Sequence, residues 1–272
     1  MMLPDDFVFS QSSLQDYADC PRRFELRYGL RLRWPAVEAD PVLEHERHLL
    51  QGAAFHHAVH QHGLGVPAED VTRLMDDAVI EGWWRQYLQS EWATAAGRRH
   101  PEITLSMPLG EHRLMAKFDL LLVTDGGEVQ IIDWKTSAQA ARTDWLLKRL
   151  QTRVYRLVLA RAGEELTGYR PLKPDQLEMI YWYVNGQAVR LAYDTAELER
   201  DEAELLRLMD EISTREVFPL TEDVRRCAFC TYRSLCNRGE AAGVSAEWDD
   251  EAIETTADEV VIDLDQIAEI EF

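Results

Sequence analysis

Two aspartates and a lysine interrupt apolar segments in the middle of the chain. Asp119 lies within residues 118–122, and Asp133 and Lys135 follow a second apolar segment that ends at Ile132. An unpaired charge in such a position is costly, and two neighbouring carboxylates repel unless a cation lies between them. The pattern therefore predicts a divalent metal site with a lysine beside it. Solvated strand positions, or pairing with nearby lysines, are the alternatives.

The loop Asp-Gly-Gly at residues 125–127 sets the register of the two strands that carry these side chains. A three-residue hairpin loop places Asp119 directly opposite Asp133. The same register sets Lys117 opposite Lys135. Because side chains alternate along a strand, Asp133 and Lys135 are expected on one face.

The other elements follow from helical and strand periodicity. Apolar spacing and capping residues predict helices at about 12–20, 44–62, 68–91, 143–162 and 195–214, the first of them opened by a capping box of Ser12 and Gln15. Alternating segments and turn residues predict strands at 103–109, 113–123, 129–134, 176–184 and 188–193. The order predicts an α/β sandwich whose N-terminal third is mostly helical.

A family motif covers the second aspartate and the lysine. The segment at residues 131–137, IIDWKTS, resembles the D-x-K motif of the PD-(D/E)XK nuclease superfamily, and Asp119 matches the aspartate that precedes it. The resemblance implies an α/β, restriction-endonuclease-like core, in which a central mixed sheet is flanked by helices.

Two further motifs resemble those of the RecB-like branch and occur in the family's order. Gly52 and His56 match a G-x-x-x-H helix, and Gln151 and Tyr155 match a Q-x-x-x-Y pair whose members share one helical face. The resemblance implies the following roles: His56, Asp119 and Asp133 bind one or two Mg²⁺ or Mn²⁺ ions, and Asp119, Asp133, Lys135, Gln151 and Tyr155 form the catalytic set. Glu102 is a lesser candidate ligand.

The four cysteines are divided unevenly along the chain. Cys227, Cys230 and Cys236 lie within ten residues, whereas 206 residues separate Cys20 from Cys227. A zinc ribbon usually supplies two pairs, so this spacing favours another site, with zinc and unliganded thiols as alternatives. The arrangement resembles that of AddB-type and CRISPR-associated RecB-like nucleases, which implies a [4Fe-4S] cluster.

The net charge of −20 neither supports nor excludes a nucleic-acid substrate. Residues 245–272 contain eleven acidic residues and no Lys or Arg, so the rest of the chain carries only −9. No apolar segment approaches the roughly 20 residues that a membrane span needs. A cytoplasmic protein without membrane association is therefore expected.

Together these features predict a metal-dependent exonuclease that acts on single-stranded DNA or DNA ends in repair, recombination or defence. One nuclease domain is expected over residues 1–240, with a helical insertion at about 44–98, a sheet core at about 99–193 and an iron-sulfur segment formed by 20 and 227–236. Residues 241–272 form an acidic tail, through which a helicase or another protein partner could bind. The alternatives are a CRISPR adaptation-type nuclease beside an integrase and a non-catalytic DNA-binding scaffold.

Overall fold

A computed structural model describes residues 3–4, 6–33, 40–168, 170–228 and 230–239, with only the backbone given for 40–46. The predicted acidic tail at 241–272 lies outside the described residues. Within the described part of the chain, no helix is both long enough and apolar enough to span a membrane.

The described residues form eight α-helices and six strands. The helices are α1 Gln11–Asp19, α2 Pro21–Phe24, α3 Asp40–Gly63, α4 Ala68–Arg73, α5 Ala78–Gln89, α6 Thr143–Leu146, α7 Leu150–Ala162 and α8 Thr195–Thr214. The strands are β1 Val8–Ser10, β2 Arg98–Leu109, β3 His112–Val123, β4 Val129–Lys135, β5 Leu177–Tyr183 and β6 Ala188–Ala192. A π-helical turn, Glu25–Gly29, follows α2.

The strands form one mixed sheet. β2, β3 and β4 pair antiparallel in sequence, as the loop at residues 125–127 predicts. β5 pairs parallel with β4 and antiparallel with β6, and β1 pairs parallel with the beginning of β3. The predicted α/β sandwich with a central mixed sheet is confirmed.

Helices cover both faces of the sheet. On one face, α1, α7 and α8 bury an aliphatic core that includes Leu14, Val158 and Met209. On the other face, α3 and α5 bury a core rich in aromatic rings, which includes Trp84 and Trp182. Strands β4 and β5, which lie in the middle of the sheet, are therefore buried on both sides.

Three predicted helix boundaries are wrong, each for a local reason. Ser10 rather than Ser12 caps α1, because the chain is still extended at Ser10, the last residue of β1. The predicted helix at 68–91 is broken, because the Asp77 carboxylate accepts the backbone N–H groups of Val79 and Ile80 and starts α5 there.

The predicted helix at 143–162 is also broken, into α6 and α7. Arg149 has an extended backbone, so α7 starts at Leu150. At the break, the carbonyl of Leu146 accepts from the N–H of Arg149 at 3.1 Å and from the hydroxyl of Thr152 at 2.6 Å.

The sheet is interrupted where Asp119 lies. The β3–β4 pairing follows the predicted register but ends at Leu120 and Ile132, one pair short of Asp119 and Asp133. The β2–β3 pairing skips Glu102 and Asp119. Side-chain alternation changes at this point, because Phe118 packs in the aliphatic core while Leu120 packs in the aromatic core.

Candidate active site

Asp133 and Lys135 lie on the same face of β4 and meet Gln151 from the first turn of α7. The ammonium nitrogen Nζ of Lys135 is 3.0 Å from Oδ2 of Asp133 and donates to Oε1 of Gln151 at 3.1 Å. The amide Nε2 of Gln151 donates to Oδ1 of Asp133 at 2.9 Å. Each of these residues is less than 5% exposed. A charged pair this deeply buried needs such additional hydrogen bonds to offset its desolvation.

A second cluster lies at the sheet interruption and combines His56 of α3, Glu102 of β2 and Asp119 of β3. One ligand atom from each lies within 4.8 Å of the other two, the one group of three His, Cys, Asp or Glu residues in the described ranges that does so. Imidazole and carboxylate groups at this spacing are suited to bind a divalent cation.

In this second cluster, His56 and Asp119 each shift the pKa of the other. Burial alone lowers the pKa of His56, but the Asp119 carboxylate, whose Oδ1 lies 3.4 Å from His56 Nδ1, outweighs it and raises the pKa to about 9. Burial likewise opposes ionisation of Asp119, but His56 holds the pKa of that carboxyl below its usual range. Without a metal ion, the histidine thus supplies the positive charge beside the carboxylates.

The peptide groups on either side of Trp134 connect the two clusters. The N–H of Trp134 donates to Oδ2 of Asp119 at 2.9 Å, and its carbonyl accepts from Nε2 of His56 at 3.0 Å. The N–H thus finds a side-chain acceptor where the strand pairing has ended. The carbonyl fixes the imidazole ring so that Nδ1 faces Asp119, an arrangement typical of histidines that bind metals.

The structure places the two predicted metal-binding aspartates, Asp119 and Asp133, in different clusters. His56 and Asp119 lie together as predicted, but their third neighbour is Glu102, whereas the Asp133 carboxylate bonds to Lys135 and Gln151. Asp133 is still close enough for its charge to contribute to the raised pKa of His56.

The predicted juxtaposition of Lys117 with Lys135 is wrong, because the β3–β4 pairing ends before it reaches them. The Lys117 side chain is 55% exposed and forms an ion pair with Glu102 at 2.5 Å, whereas Lys135 is buried. Glu102 itself has a left-handed backbone, with a φ angle of 54°. Nothing in the sequence predicts this conformation, which is strained for a residue other than glycine.

The two remaining motif residues have packing contacts next to the clusters. Tyr155 lies one turn after Gln151, buried in the aliphatic core with its ring centroid 5.0 Å from that of Phe118. Gly52 lies one turn before His56, where a Cβ atom would be 3.5 Å from the Thr136 side chain. That distance is an ordinary van der Waals contact, so α3 packs against the end of β4 at this residue.

A shallow cleft opens to solvent at the second cluster. Besides the carboxylates, basic groups from α3 and β2 lie in its wall. Its lining consists of His56, Val59, His60, Gly63, Arg99, Pro101, Glu102, Asp119, Leu120 and Trp134. His60 and Arg99 make this entrance suitable for an anionic ligand.

The chain brings its N-terminal cysteine to the C-terminal three. Cys20 lies between α1 and α2, and contacts on both sides of it reach the C-terminal segment: Arg226 pairs with Asp19 at 3.0 Å, and the N–H of Arg22 donates to the carbonyl of Pro219 at 3.1 Å. Tyr232 also donates to the carbonyl of Leu32 at 2.8 Å.

The thiols influence one another's ionisation. Burial, followed by the charge of Cys20, raises the pKa of Cys227 and of Cys236. Burial also raises the pKa of Cys230, to about 11, and the thiols of Cys227 and Cys20 add to this effect. All four cysteines therefore lie near one another, although 206 residues separate the first from the next.

The chain matches a known protein family over most of its length. The family model of the PD-(D/E)XK nuclease superfamily matches residues 8–237. No curated protein matches the chain. Among solved structures, a protein of Eubacterium rectale named as a candidate exonuclease aligns at 13% identity over 89% of this chain and 91% of its own, with a TM-score of 0.49. A protein called SSO0001 aligns at 12% identity over 84% of this chain and 85% of its own, with a TM-score of 0.42.

Proposed function

Because the chain belongs to the PD-(D/E)XK nuclease superfamily, we propose that it is a metal-dependent deoxyribonuclease that degrades DNA from its ends. One observation carries the proposal: a candidate metal-binding cluster and a buried Asp–Lys–Gln cluster are joined through the backbone of Trp134. A cation at the phosphate and a fixed cationic side chain beside it can together promote hydrolysis of a phosphodiester.

The cation would be held by His56, Glu102 and Asp119, with Asp133 next to them. Two kinds of ligand are present, carboxylate oxygen and imidazole nitrogen, and the nitrogen favours Mn²⁺ over Mg²⁺. A divalent ion bound there would lower the pKa of water and neutralise charge on the phosphate.

The Asp–Lys–Gln cluster supplies the groups that the protein itself contributes. Asp133 and Gln151 hold the Lys135 ammonium in a fixed position, charged and shielded from bulk water. From there Lys135 can orient the attacking water or stabilise negative charge that develops on the phosphate. His60 and Arg99, in the wall of the cleft, would guide the DNA backbone.

We further propose that the four cysteines hold a [4Fe-4S] cluster that fastens the C-terminal segment to α1. Thiolates are the usual ligands of such clusters. The contacts that bring Cys20 to the C-terminal segment support a group shared by all four cysteines.

The decisive experiment measures cleavage of end-labelled linear single-stranded DNA with Mn²⁺ or Mg²⁺. Asp119→Asn and Lys135→Ala should each lower kcat by at least about 100-fold. Asp125→Asn, in the exposed hairpin loop, and Lys148→Ala, on the surface before α7, are the matched controls and should keep full activity.

A substrate without ends and the activity of the wild type itself complete the test. Circular single-stranded DNA, which has no ends, should resist the wild type if the enzyme is an exonuclease. If the wild type, purified anaerobically, cleaves no DNA with either metal, the proposal is wrong and a non-catalytic DNA-binding role becomes the better one.

A further inference from the structure

The side chain of Tyr181, a residue of β5, reaches the Asp–Lys–Gln cluster. It pairs in register with Asp133 on the neighbouring parallel strand, so the two side chains lie side by side on the face that α7 covers. Tyr181 is fully buried, and its ring centroid lies 5.4 Å from Nζ of Lys135. A cation at this distance from an aromatic ring is stabilised by it.

The hydroxyl of Tyr181 contacts two consecutive residues of α7. It lies 2.7 Å from Oγ1 of Thr152 and 3.4 Å from Oε1 of Gln151. Because Thr152 gives its only hydroxyl proton to the carbonyl of Leu146, Tyr181 is the donor, and its single proton is shared between Thr152 Oγ1, the nearer acceptor, and Gln151 Oε1. Burial, followed by the charge of Asp133, raises the pKa of Tyr181, so the phenol keeps its proton throughout the working pH range.

A donor at this position favours one orientation of the Gln151 amide. With Oε1 toward Tyr181 and Lys135, Nε2 donates to Asp133, and every contact joins a donor to an acceptor. The reversed amide would set two donors against each other at Lys135 and two acceptors against each other at Asp133. The carboxylate and the ammonium already favour the observed orientation, and the phenol adds a third group that does so.

We propose that Tyr181 is a positioning residue of this nuclease, which acts through the Gln151 amide and the ring face to hold Lys135 in its reactive place. The inference rests on the proposed function. Tyr181 is not expected to contact DNA, so it should affect turnover rather than substrate binding.

The test is Tyr181→Phe, which removes the hydroxyl and keeps the ring. We expect kcat to fall about 10-fold, the effect of one lost hydrogen bond in the transition state, while KM changes less than about 2-fold. The matched control is Tyr17→Phe: Tyr17 of α1 is also buried, and its hydroxyl donates to the Glu211 carboxylate of α8 at 2.6 Å. This variant should keep kcat within about 2-fold.

A double-mutant cycle separates positioning from core packing. Tyr181→Phe should cause no further loss of kcat in a Gln151→Ala background, because its effect passes through that amide. Thr152→Val removes the other acceptor of the phenol and should leave kcat nearly unchanged. Equal losses in Tyr181→Phe and Tyr17→Phe, or additive losses in the cycle, would overturn the proposal.

One readout needs no activity and no cation. In protein with ¹⁵N-labelled glutamine, the side-chain amide signals of Gln151, assigned with Gln151→Glu, should shift in Tyr181→Phe and stay unchanged in Tyr17→Phe. A wild type without nuclease activity would refute the proposed function alone. An unchanged Gln151 signal in Tyr181→Phe would refute the role of Tyr181. If Tyr181→Phe does not fold, Thr152→Val tests the same contact, because it leaves the phenol proton to Gln151 Oε1. The Gln151 signal should then shift, and an unchanged signal would refute the role of Tyr181.

Discussion

At the scale of single residues, the candidate metal cluster contains a competitor for its own cation. Lys117 forms an ion pair with Glu102, one of the three candidate ligands, and does so from a largely exposed position. A divalent ion that binds Glu102 must share that carboxylate with the lysine or displace it. The resting charge of the cluster is thus set by a residue outside the nuclease motifs.

Lys117→Met should therefore tighten the binding of Mn²⁺. An exposed ion pair contributes up to about 1 kcal/mol, so the expected gain is about 2- to 5-fold in Kd. Titration calorimetry in the absence of DNA measures it, with Lys148→Met as the matched surface control. Asp119→Asn should abolish the signal and so identify the site. Unchanged or weaker binding by Lys117→Met would show that the lysine does not compete.

At the scale of elements, β2 carries a strained residue at the point where the sheet alternation changes. The φ angle of 54° at Glu102 is unusual for a strand residue that has a Cβ atom. Such strain persists only where the surrounding structure enforces it, and it is frequent at functional sites. Here it coincides with the interrupted pairing that places Glu102 and Asp119 beside His56.

Because of this strain, a variant with glycine at position 102 should be more stable than one with alanine, the reverse of the usual order in a strand. Both Glu102→Gly and Glu102→Ala lose the carboxylate, but only glycine adopts this conformation without penalty. Glu102→Gly should therefore be more stable than Glu102→Ala by about 0.5–1 kcal/mol. Urea unfolding in EDTA measures the difference. At Thr104, an ordinary position of the same strand, alanine should be the more stable of the two. The same order at both positions would contradict the idea of strain at Glu102.

The elements also show which features could be predicted from sequence. Turn residues at 125–127 and apolar alternation gave the antiparallel strands and their register, and with them the approach of Asp119 to β4. Two long helices were predicted where four exist, because a capping carboxylate such as Asp77 resembles any other surface acid until the chain around it is folded. The parallel pairing that sets Tyr181 beside Asp133 is a long-range contact, which local patterns do not encode.

The site shows the same division. Strand alternation, a local rule, predicted that Asp133 and Lys135 share one face, and the order of the motifs made Gln151 a further member of the site. In the structure these three side chains contact one another. The sequence could not predict that Glu102 is the neighbour of Asp119, since Glu102 enters the cluster through an unusual backbone angle.

At the scale of the whole molecule, the two ends of the described nuclease region meet at the cysteines. Arg226 and Asp19 form an ion pair there, and Asp19 also binds Arg23 at 2.9 Å. A group bound by Cys20 and the C-terminal three would close a loop of more than two hundred residues and so restrict the unfolded chain.

Cys230→Ser should therefore lose iron and lower Tm. Wild type purified anaerobically should contain iron and sulfide in equal amounts, and the variant should contain little of either, with a Tm lower by about 5 °C or more. Elemental analysis and thermal unfolding measure these effects, with Ser234→Ala, from the same segment, as the control. One zinc per chain and no sulfide would replace the proposed cluster by a zinc site.

The backbone of Trp134 limits what mutagenesis can reveal about this protein. Asp119 and His56 are held by an N–H and a carbonyl, which every residue at position 134 except proline would supply. Alanine scanning would therefore detect the lost indole, which packs against Tyr87 and Trp182, and would miss the connection itself. Replacing the amide N–H by an ester oxygen through chemical ligation would remove that bond while leaving every side chain in place.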